Sequence, residues 1–151
     1  MPAPAPPVPA LRLLIVDDAA AVGRALARVA RGLGWAADAV TSWEQAQRLL
    51  GATPYHLLLV DFGLGERFTG ADAIAWVRRA YPALSPVLMS CGDAGAAAAA
   101  AVACPVLLKP FRPDQFAALL DAVAAATAGA GHGTIEQPAE LRPFPRKETT
   151  S

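Results

Sequence analysis

The stretch LRLLIVDD (11–18) sets the expectation for the fold, because it is a short apolar run that ends in two aspartates. Three later runs have the same form and also end in a polar residue: HLLLVD (56–61), PVLMS (86–90) and PVLLK (105–109). Such runs are typical of strands buried on both faces of a parallel sheet. In an open α/β sheet the carboxyl ends of the strands form the crevice that binds ligands. The sequence therefore predicts three carboxylates, one hydroxyl and one ammonium group along one edge of a sheet.

Helical periodicity appears between these runs, and residues 35–40 add a further strand. The predicted helices follow Asp18 up to Gly32, then span 43–50, 70–80, 93–102 and 113–128. The buried face of the first helix is expected to consist of Val22, Leu26, Val29 and Leu33. In the third helix, Arg78 and Arg79 are expected to point outward. Five strands alternating with five helices, joined by short links, predict an α/β fold with right-handed crossovers.

The chain has 151 residues, which predicts one domain, and we place it at residues 11–128. Residues 1–10 are rich in Pro and Ala and are expected to be a disordered leader. Residues 129–151 lack hydrophobic periodicity and are expected to be a disordered tail, too short for a separate output domain.

Composition argues against several classes of function. With 13 basic and 13 acidic residues there is no electrostatic case for nucleic-acid binding. The longest run of low polarity (94–108) is shorter than the ~20 residues of a membrane-spanning helix, and the N-terminus lacks the charged start of a signal peptide. A cytoplasmic protein is expected. Cys91 and Cys104 are expected to be reduced and buried, with a disulfide between them as the alternative.

The polar strand ends stand in a familiar order: Asp17-Asp18, Asp61, Ser90 and Lys109-Pro110-Phe111. On these residues the chain resembles the receiver domain of bacterial two-component response regulators, from residue 11 to about 128. The resemblance implies the flavodoxin-like receiver fold, a five-stranded parallel sheet in the order 2-1-3-4-5 with helices on both faces. The loop DFGLGERFTG (61–70) resembles the loop of receivers attached to hybrid histidine kinases.

The resemblance also implies a chemistry. Asp61 is the expected phosphoacceptor, taking a phosphoryl group from a phosphohistidine. A hard cation, Mg²⁺, would relieve the charge repulsion between carboxylate and phosphoryl group. Its expected ligands are Asp17, Asp18, Asp61 and the backbone carbonyl of Gly63. Lys109 and Ser90 are expected to contact the phosphoryl oxygens through an ammonium group and a hydroxyl.

The expected partner is a histidine kinase or a histidine phosphotransferase, docked near the first helix. The exposed arginines of that helix, Arg24, Arg28 and Arg31, are candidates for docking, although such a row is also typical of a solvated helix face. A stand-alone protein, monomeric or weakly dimeric, is expected. It would not be an enzyme, although it would promote its own phosphorylation and dephosphorylation.

One position departs from the pattern that the resemblance implies. Val106 lies three residues before Lys109, where receivers of the chemotaxis type usually have Tyr or Phe. An aromatic ring there swings inward on activation, and valine has too little volume to do so. We therefore expect weak coupling between Asp61 and the face formed by the fourth helix, fifth strand and fifth helix.

Three alternatives remain. Taken singly, each residue has a structural explanation, such as Asp17-Asp18 capping the next helix. A pseudo-receiver that serves only as a scaffold is a second alternative, against which the complete set of acidic residues, Ser90 and Lys109 argue. An aspartate-nucleophile phosphatase of the haloacid-dehalogenase type would need a second Asp two residues after the first. Ala19 and Ala20 stand at those positions.

Overall fold

A computed structural model describes residues 10–64 and 68–129 of the chain. Strands and helices alternate throughout, and every helix bound predicted from the sequence lies within two residues of the observed one. The elements in chain order are β1 (Arg12–Val16), α1 (Ala20–Gly32), β2 (Ala36–Val40), α2 (Trp43–Ala52), β3 (Leu57–Asp61), α3 (Gly70–Ala80), β4 (Ser85–Ser90), α4 (Asp93–Ala101), β5 (Val106–Leu108) and α5 (Pro113–Gly129).

The five strands form one sheet in the order β2-β1-β3-β4-β5, with every pair parallel. This confirms the predicted order 2-1-3-4-5 and the α/β class. Side chains from β1 and β3 have no exposed surface, apart from Arg12 and Asp61 at their ends. The apolar runs in β1 and β3 are continuous because helices cover both faces of these strands.

Alternate residues along β1, β3 and β4 enter two separate cores. Leu14 and Val16 of β1 pack with side chains of α2, α3 and α4 on one face of the sheet. Leu13 and Ile15 pack on the other face with α1 and α5, whose Phe116 and Leu120 are fully buried. Period-two alternation of side chains in a strand produces this division.

The face of α1 that contacts the sheet differs from the prediction. Its buried residues are Gly23, Leu26, Ala27 and Ala30, whereas Val29 and Leu33 are 37% and 48% exposed. Small residues let the helix lie close to the strands, and a Cβ atom on Gly23 would lie only 3.1 Å from the Cβ of Ala39. The buried face of α1 is thus the one whose small residues let the helix backbone approach the strands, and not the one with the most hydrophobic residues.

The prediction that Arg78 points outward is wrong. Its side chain is 9% exposed, and its guanidinium donates hydrogen bonds to the carbonyls of Val102 and Ala103 at the end of α4. Ala103 has a φ of +49°, so the chain turns sharply here and directs both carbonyls toward α3. Arg79, by contrast, is exposed as predicted.

The two cysteines lie in different environments. Neither forms a disulfide in the described ranges, but Cys91 is exposed, so its predicted burial is wrong. Cys104 is half-buried, and burial raises the pKa of its thiol to about 11. In residues 10–64 and 68–129, no helix has both the length and the apolar character needed to cross a membrane.

Candidate functional site

The carboxyl ends of four strands lie side by side at one edge of the sheet. The parallel register pairs Val16 with Val60, Asp61 with Met89, and Ser90 with Leu108. The residues at or just after these ends are therefore level with one another. The predicted convergence of polar side chains follows from this register.

Three carboxylates form the centre of the site. Asp17, Asp18 and Asp61 each offer one oxygen, and these oxygens all lie within 4.8 Å of one another. Asp17 is buried, Asp61 is half-buried and Asp18 is exposed, so the cluster opens to solvent on one side. An all-oxygen donor set of high negative charge suits a hard divalent cation. Gly63 lies beside the cluster, since a Cβ atom there would be 3.7 Å from Oδ2 of Asp61.

The aspartate pair does not cap α1 in the usual manner. Oδ1 of Asp17 accepts a hydrogen bond of 2.9 Å from the backbone N–H of Ala19. The N-cap residue itself is Ala19, which has no side-chain cap. The carboxylates are thus oriented toward the strand ends, and helix capping does not explain their presence.

Lys109 bridges two of the three carboxylates. Its Nζ lies 2.9 Å from Oδ2 of Asp17 and 3.3 Å from Oδ1 of Asp61. Partial burial by itself lowers the pKa of this ammonium group, but the two carboxylates outweigh burial and raise the pKa. Lys109 is therefore a fixed positive charge, held against the side chain of Asp61.

The pKa of Asp61 is raised above the ordinary value for a carboxyl group. Burial is the largest cause, the charge of Lys109 opposes it, and the nearby charges of Asp17 and Asp18 add to it. Burial, and after it the like charges of Asp17 and Asp18, thus make ionised Asp61 costly despite the charge of Lys109.

Ser90 lies at the end of β4 and is buried, with 3% of its surface exposed. Its Oγ is 3.2 Å from both the backbone N–H and the carbonyl oxygen of Gly92. The backbone carbonyl of Ser90 accepts a hydrogen bond of 2.7 Å from the N–H of Lys109, which fixes β5 beside β4. The structure thus places Ser90 on the strand next to Asp61, with its hydroxyl bonded to the loop that leads into α4.

Two glycines permit close packing around the site. A Cβ atom on Gly70 would lie 2.4 Å from the carbonyl oxygen of Asp61, and one on Gly95 would lie 1.7 Å from Oγ of Ser90. Gly70 opens α3 and was noted in the sequence as a helix start. Gly95 was missed, because it stands inside the Ala-rich stretch DAGAAAAAA (93–101), where periodicity gives no signal.

The remaining predicted residues lie outside this cluster. Val106 is 37% exposed on the edge strand β5. Arg24 and Arg28 are exposed on α1, whereas Nη2 of Arg31 donates a hydrogen bond of 2.7 Å to the carbonyl of Ala37 on β2. The three arginines thus differ in environment, since within the described residues Arg31 is the one that hydrogen-bonds to the sheet.

A shallow apolar depression of about 510 Å³ adjoins Lys109. Its lining comes from α1 and from the segments that follow β4 and β5: Val22, Ala25, Leu26, Cys91, Lys109, Pro110 and Phe111. The depression extends from the surface of α1 to the edge of the sheet where the strand ends meet, and Lys109 borders both the depression and the carboxylate cluster.

Comparison with known proteins gives consistent matches. Residues 13–121 match the family model described as the response regulator receiver domain. The alginate biosynthesis transcriptional regulatory proteins AlgB of Pseudomonas aeruginosa and Pseudomonas putida are each 33% identical over 107 residues. These matches cover 69% of this chain but 24% of each relative, so the chain corresponds to about a quarter of their length.

Solved structures agree on the fold. The signal receiver domain of an HD domain-containing protein from Pseudomonas fluorescens Pf-5 has a TM-score of 0.74 and 18% identity, covering 83% of this chain and 94% of that one. The chemotaxis response regulator CheY4 of Vibrio cholerae has a TM-score of 0.67 and 18% identity, covering 76% and 99%. With its fold, its strand-end carboxylates and the match over residues 13–121, the chain belongs to the response regulator receiver domain family of two-component systems.

Proposed function

We propose that Asp61 accepts a phosphoryl group from a phosphohistidine of a histidine kinase or histidine phosphotransferase. The observation that carries this proposal is the contact of Lys109 with both Asp61 and Asp17 inside a cluster of three carboxylates. A lysine held against the side chain of Asp61 lies where charge on an incoming phosphoryl group needs a partner.

In the proposed reaction, a carboxylate oxygen of Asp61 attacks phosphorus and forms a new P–O bond. The P–N bond to the imidazole breaks, and the leaving nitrogen takes up a proton. The product is an acyl phosphate on Asp61. Nζ of Lys109 pairs with a phosphoryl oxygen, and the Ser90 hydroxyl donates a hydrogen bond to another once it leaves Gly92.

We propose that Asp17, Asp18, Asp61 and the carbonyl of Gly63 hold Mg²⁺. When bound, the ion would offset the negative charge that carboxylates and phosphoryl group bring together. The oxygen donors within 4.8 Å of one another support this assignment. Burial and the charges of Asp17 and Asp18 raise the pKa of Asp61, and a bound cation would offset that cost of ionisation.

We propose that the partner docks on α1 and the apolar depression beside Lys109. The exposed surface there is apolar near the site, with Val22, Ala25 and Phe111, and basic at its margin, with Arg24 and Arg28. A partner helix with apolar residues and a flanking acidic residue would fit. Arg31 contributes less, because its guanidinium is bonded to the backbone of β2.

Output through β5 is proposed to be weak. Val106 is 37% exposed on an edge strand, and its side chain has too little volume to fill the space that an inward-swinging aromatic ring would occupy. A role in which the phosphoryl group is passed on or drained away, to or from a docked histidine-bearing partner, therefore suits this chain better than a large rearrangement of the β5 face.

The test uses small phosphodonors. We expect one phosphoryl group to be added in the presence of Mg²⁺ and phosphoramidate, whose P–N bond resembles that of phosphohistidine, or acetyl phosphate. Intact-mass measurement reports the gain. Chelation of Mg²⁺ should abolish the gain, as should Asp61→Asn, whereas Arg28→Ala should leave it unchanged because no partner is involved. A gain that persists in Asp61→Asn would overturn the proposal.

A further inference from the structure

The Ser90 side chain lies in unusually close contact with α4. A Cβ atom built on Gly95 would lie 1.7 Å from Oγ and 2.3 Å from Cβ of Ser90, and 3.4 Å from Cγ of Phe62. Real Cβ atoms do not approach other atoms so closely as the first two distances. The observed position of the Ser90 hydroxyl therefore exists only because residue 95 has no side chain.

The same hydroxyl is engaged on the α4 side by a second set of contacts. Both backbone groups of Gly92, the N-cap residue of α4, lie 3.2 Å from Oγ of Ser90. The carbonyl of Gly92 also accepts the first helical hydrogen bond, from the N–H of Ala96. Oγ is thus held between the N-cap and Gly95, in a position where its bonds go to the loop.

We propose that Gly95 is a positioning residue that lets the Ser90 hydroxyl rest against α4, away from the phosphoryl group, when Asp61 is unmodified. This inference rests on the proposed phosphorylation of Asp61. The resting position competes with hydrogen bonding to a phosphoryl oxygen, so its occupancy lowers the affinity of the site for that group. Gly95 thereby sets how readily Ser90 responds to phosphorylation.

The other end of α4 is fixed. Arg78 binds the carbonyls of Val102 and Ala103, and the helix between is short, from Asp93 to Ala101. We therefore expect a change at the Ser90–Gly95 contact to be confined to the first turn of α4. This confinement agrees with weak coupling to β5, where Val106 is exposed.

Substituting Gly95 separates the two states. Gly95→Ala collides with Oγ only while the hydroxyl rests against α4, whereas its collision with Cβ of Ser90 is common to both states. The resting state is therefore destabilised more than the phosphoryl-bound state. We expect beryllofluoride, a phosphoryl mimic, to bind Gly95→Ala severalfold more tightly than wild type in the presence of Mg²⁺.

Ser90→Gly removes both atoms that collide. In that background we expect Gly95→Ala to leave beryllofluoride affinity unchanged and to raise the melting temperature, because alanine is the better helix former. In the Ser90 background the same substitution should lower the melting temperature. Gly51→Ala is the matched control: this helical glycine has open space around it, so it should raise the melting temperature and leave affinity unchanged.

Unchanged or weakened mimic binding in Gly95→Ala, measured below its melting temperature, would overturn the proposal. So would an equal effect of Gly95→Ala in the Ser90→Gly background. Intact-mass phosphorylation by acetyl phosphate is followed in every variant as a separate readout. If wild type gains no phosphoryl group from acetyl phosphate, the proposed function is contradicted instead. Failure of the proposal about Gly95 can therefore be distinguished from failure of the proposed function.

Discussion

Replacing Arg78 by methionine should destabilise the fold strongly, although no acidic side chain pairs with this arginine in the described ranges. The guanidinium donates to the carbonyls of Val102 and Ala103, and so joins α3 to the turn between α4 and β5. Methionine keeps most of the stem volume but provides no donor. Two carbonyls at the end of α4 would then lose their partner.

The expected magnitude follows from these contacts. A hydrogen bond to a charged donor contributes about 1.5–3 kcal/mol net, and two are lost. Against this, the buried guanidinium is costly, since its Nε has no hydrogen-bond partner among the described residues, and burial lowers its pKa. We expect the free energy of unfolding to fall by about 2–4 kcal/mol, below the sum of the two bonds because methionine avoids that cost.

Equilibrium unfolding in urea measures this loss. With a slope of about 2 kcal/mol per M, the midpoint should fall by about 1–2 M. Arg79→Met is the matched control, because Arg79 is the exposed neighbour, and a surface substitution of this kind changes stability by about 0.5 kcal/mol or less. Arg78→Lys should be intermediate, since one ammonium group cannot serve both carbonyls in the same geometry. Equal losses in Arg78→Met and Arg79→Met would refute the assigned role.

Three further outcomes are expected. Mg²⁺ should raise the melting temperature of wild type, because it binds the folded protein, and the increase should be smaller in Asp18→Ala and Asp61→Ala. Equal increases in all three proteins would show that the ion binds elsewhere. Nδ1 of His56 accepts a hydrogen bond from the backbone N–H of Arg12, and burial, then the charge of Arg12, lower the pKa of His56. The contribution of neutral His56 to stability is therefore fully present above the unfolded pKa of about 6.5 and is lost as pH falls through the lower folded value. Between pH 7.5 and 5.5 the melting temperature of wild type should fall further than that of His56→Asn. Parallel curves of melting temperature against pH would contradict this. A Cβ atom on Gly92 would meet no other atom within 4 Å, so Gly92→Glu and Gly92→Arg should fold. A long side chain at this position, two residues after Ser90, would shield an acyl phosphate on Asp61 or orient the water that attacks it, so the dephosphorylation rate should change severalfold. An unchanged rate in both variants would show that this position does not control access of water.

The sequence predicted the strands and the strand-end residues well, because β1, β3 and β4 are apolar runs buried on both faces and are followed by or end in chemically distinctive residues. The edge strand β5 is partly exposed, but it too is an apolar run, and Lys109 follows it directly. The parallel register then brings Asp17, Asp18, Asp61 and Lys109 together without further information. The proposed site consists of residues at strand ends, so patterns along the chain were enough to predict where these residues meet.

Features that depend on tertiary packing were not predictable in this way. The buried face of α1 is chosen by small residues such as Ala27 and Ala30 rather than by Val29. Arg78 resembles a surface residue until the position of the α4 end is known. Gly95 looks like one more small residue in an Ala-rich helix, and its contact with Ser90 is visible only in three dimensions.

The central claim, that Asp61 carries the phosphoryl group, is tested most directly by locating the modified residue. The protein is phosphorylated with acetyl phosphate and Mg²⁺, the acyl phosphate is reduced with borohydride, and the peptides are analysed by mass spectrometry. We predict homoserine at position 61 and unmodified aspartate at Asp17 and Asp18. Homoserine at either of those two positions, or at none of the three in a protein that gained a phosphoryl group, would contradict the claim.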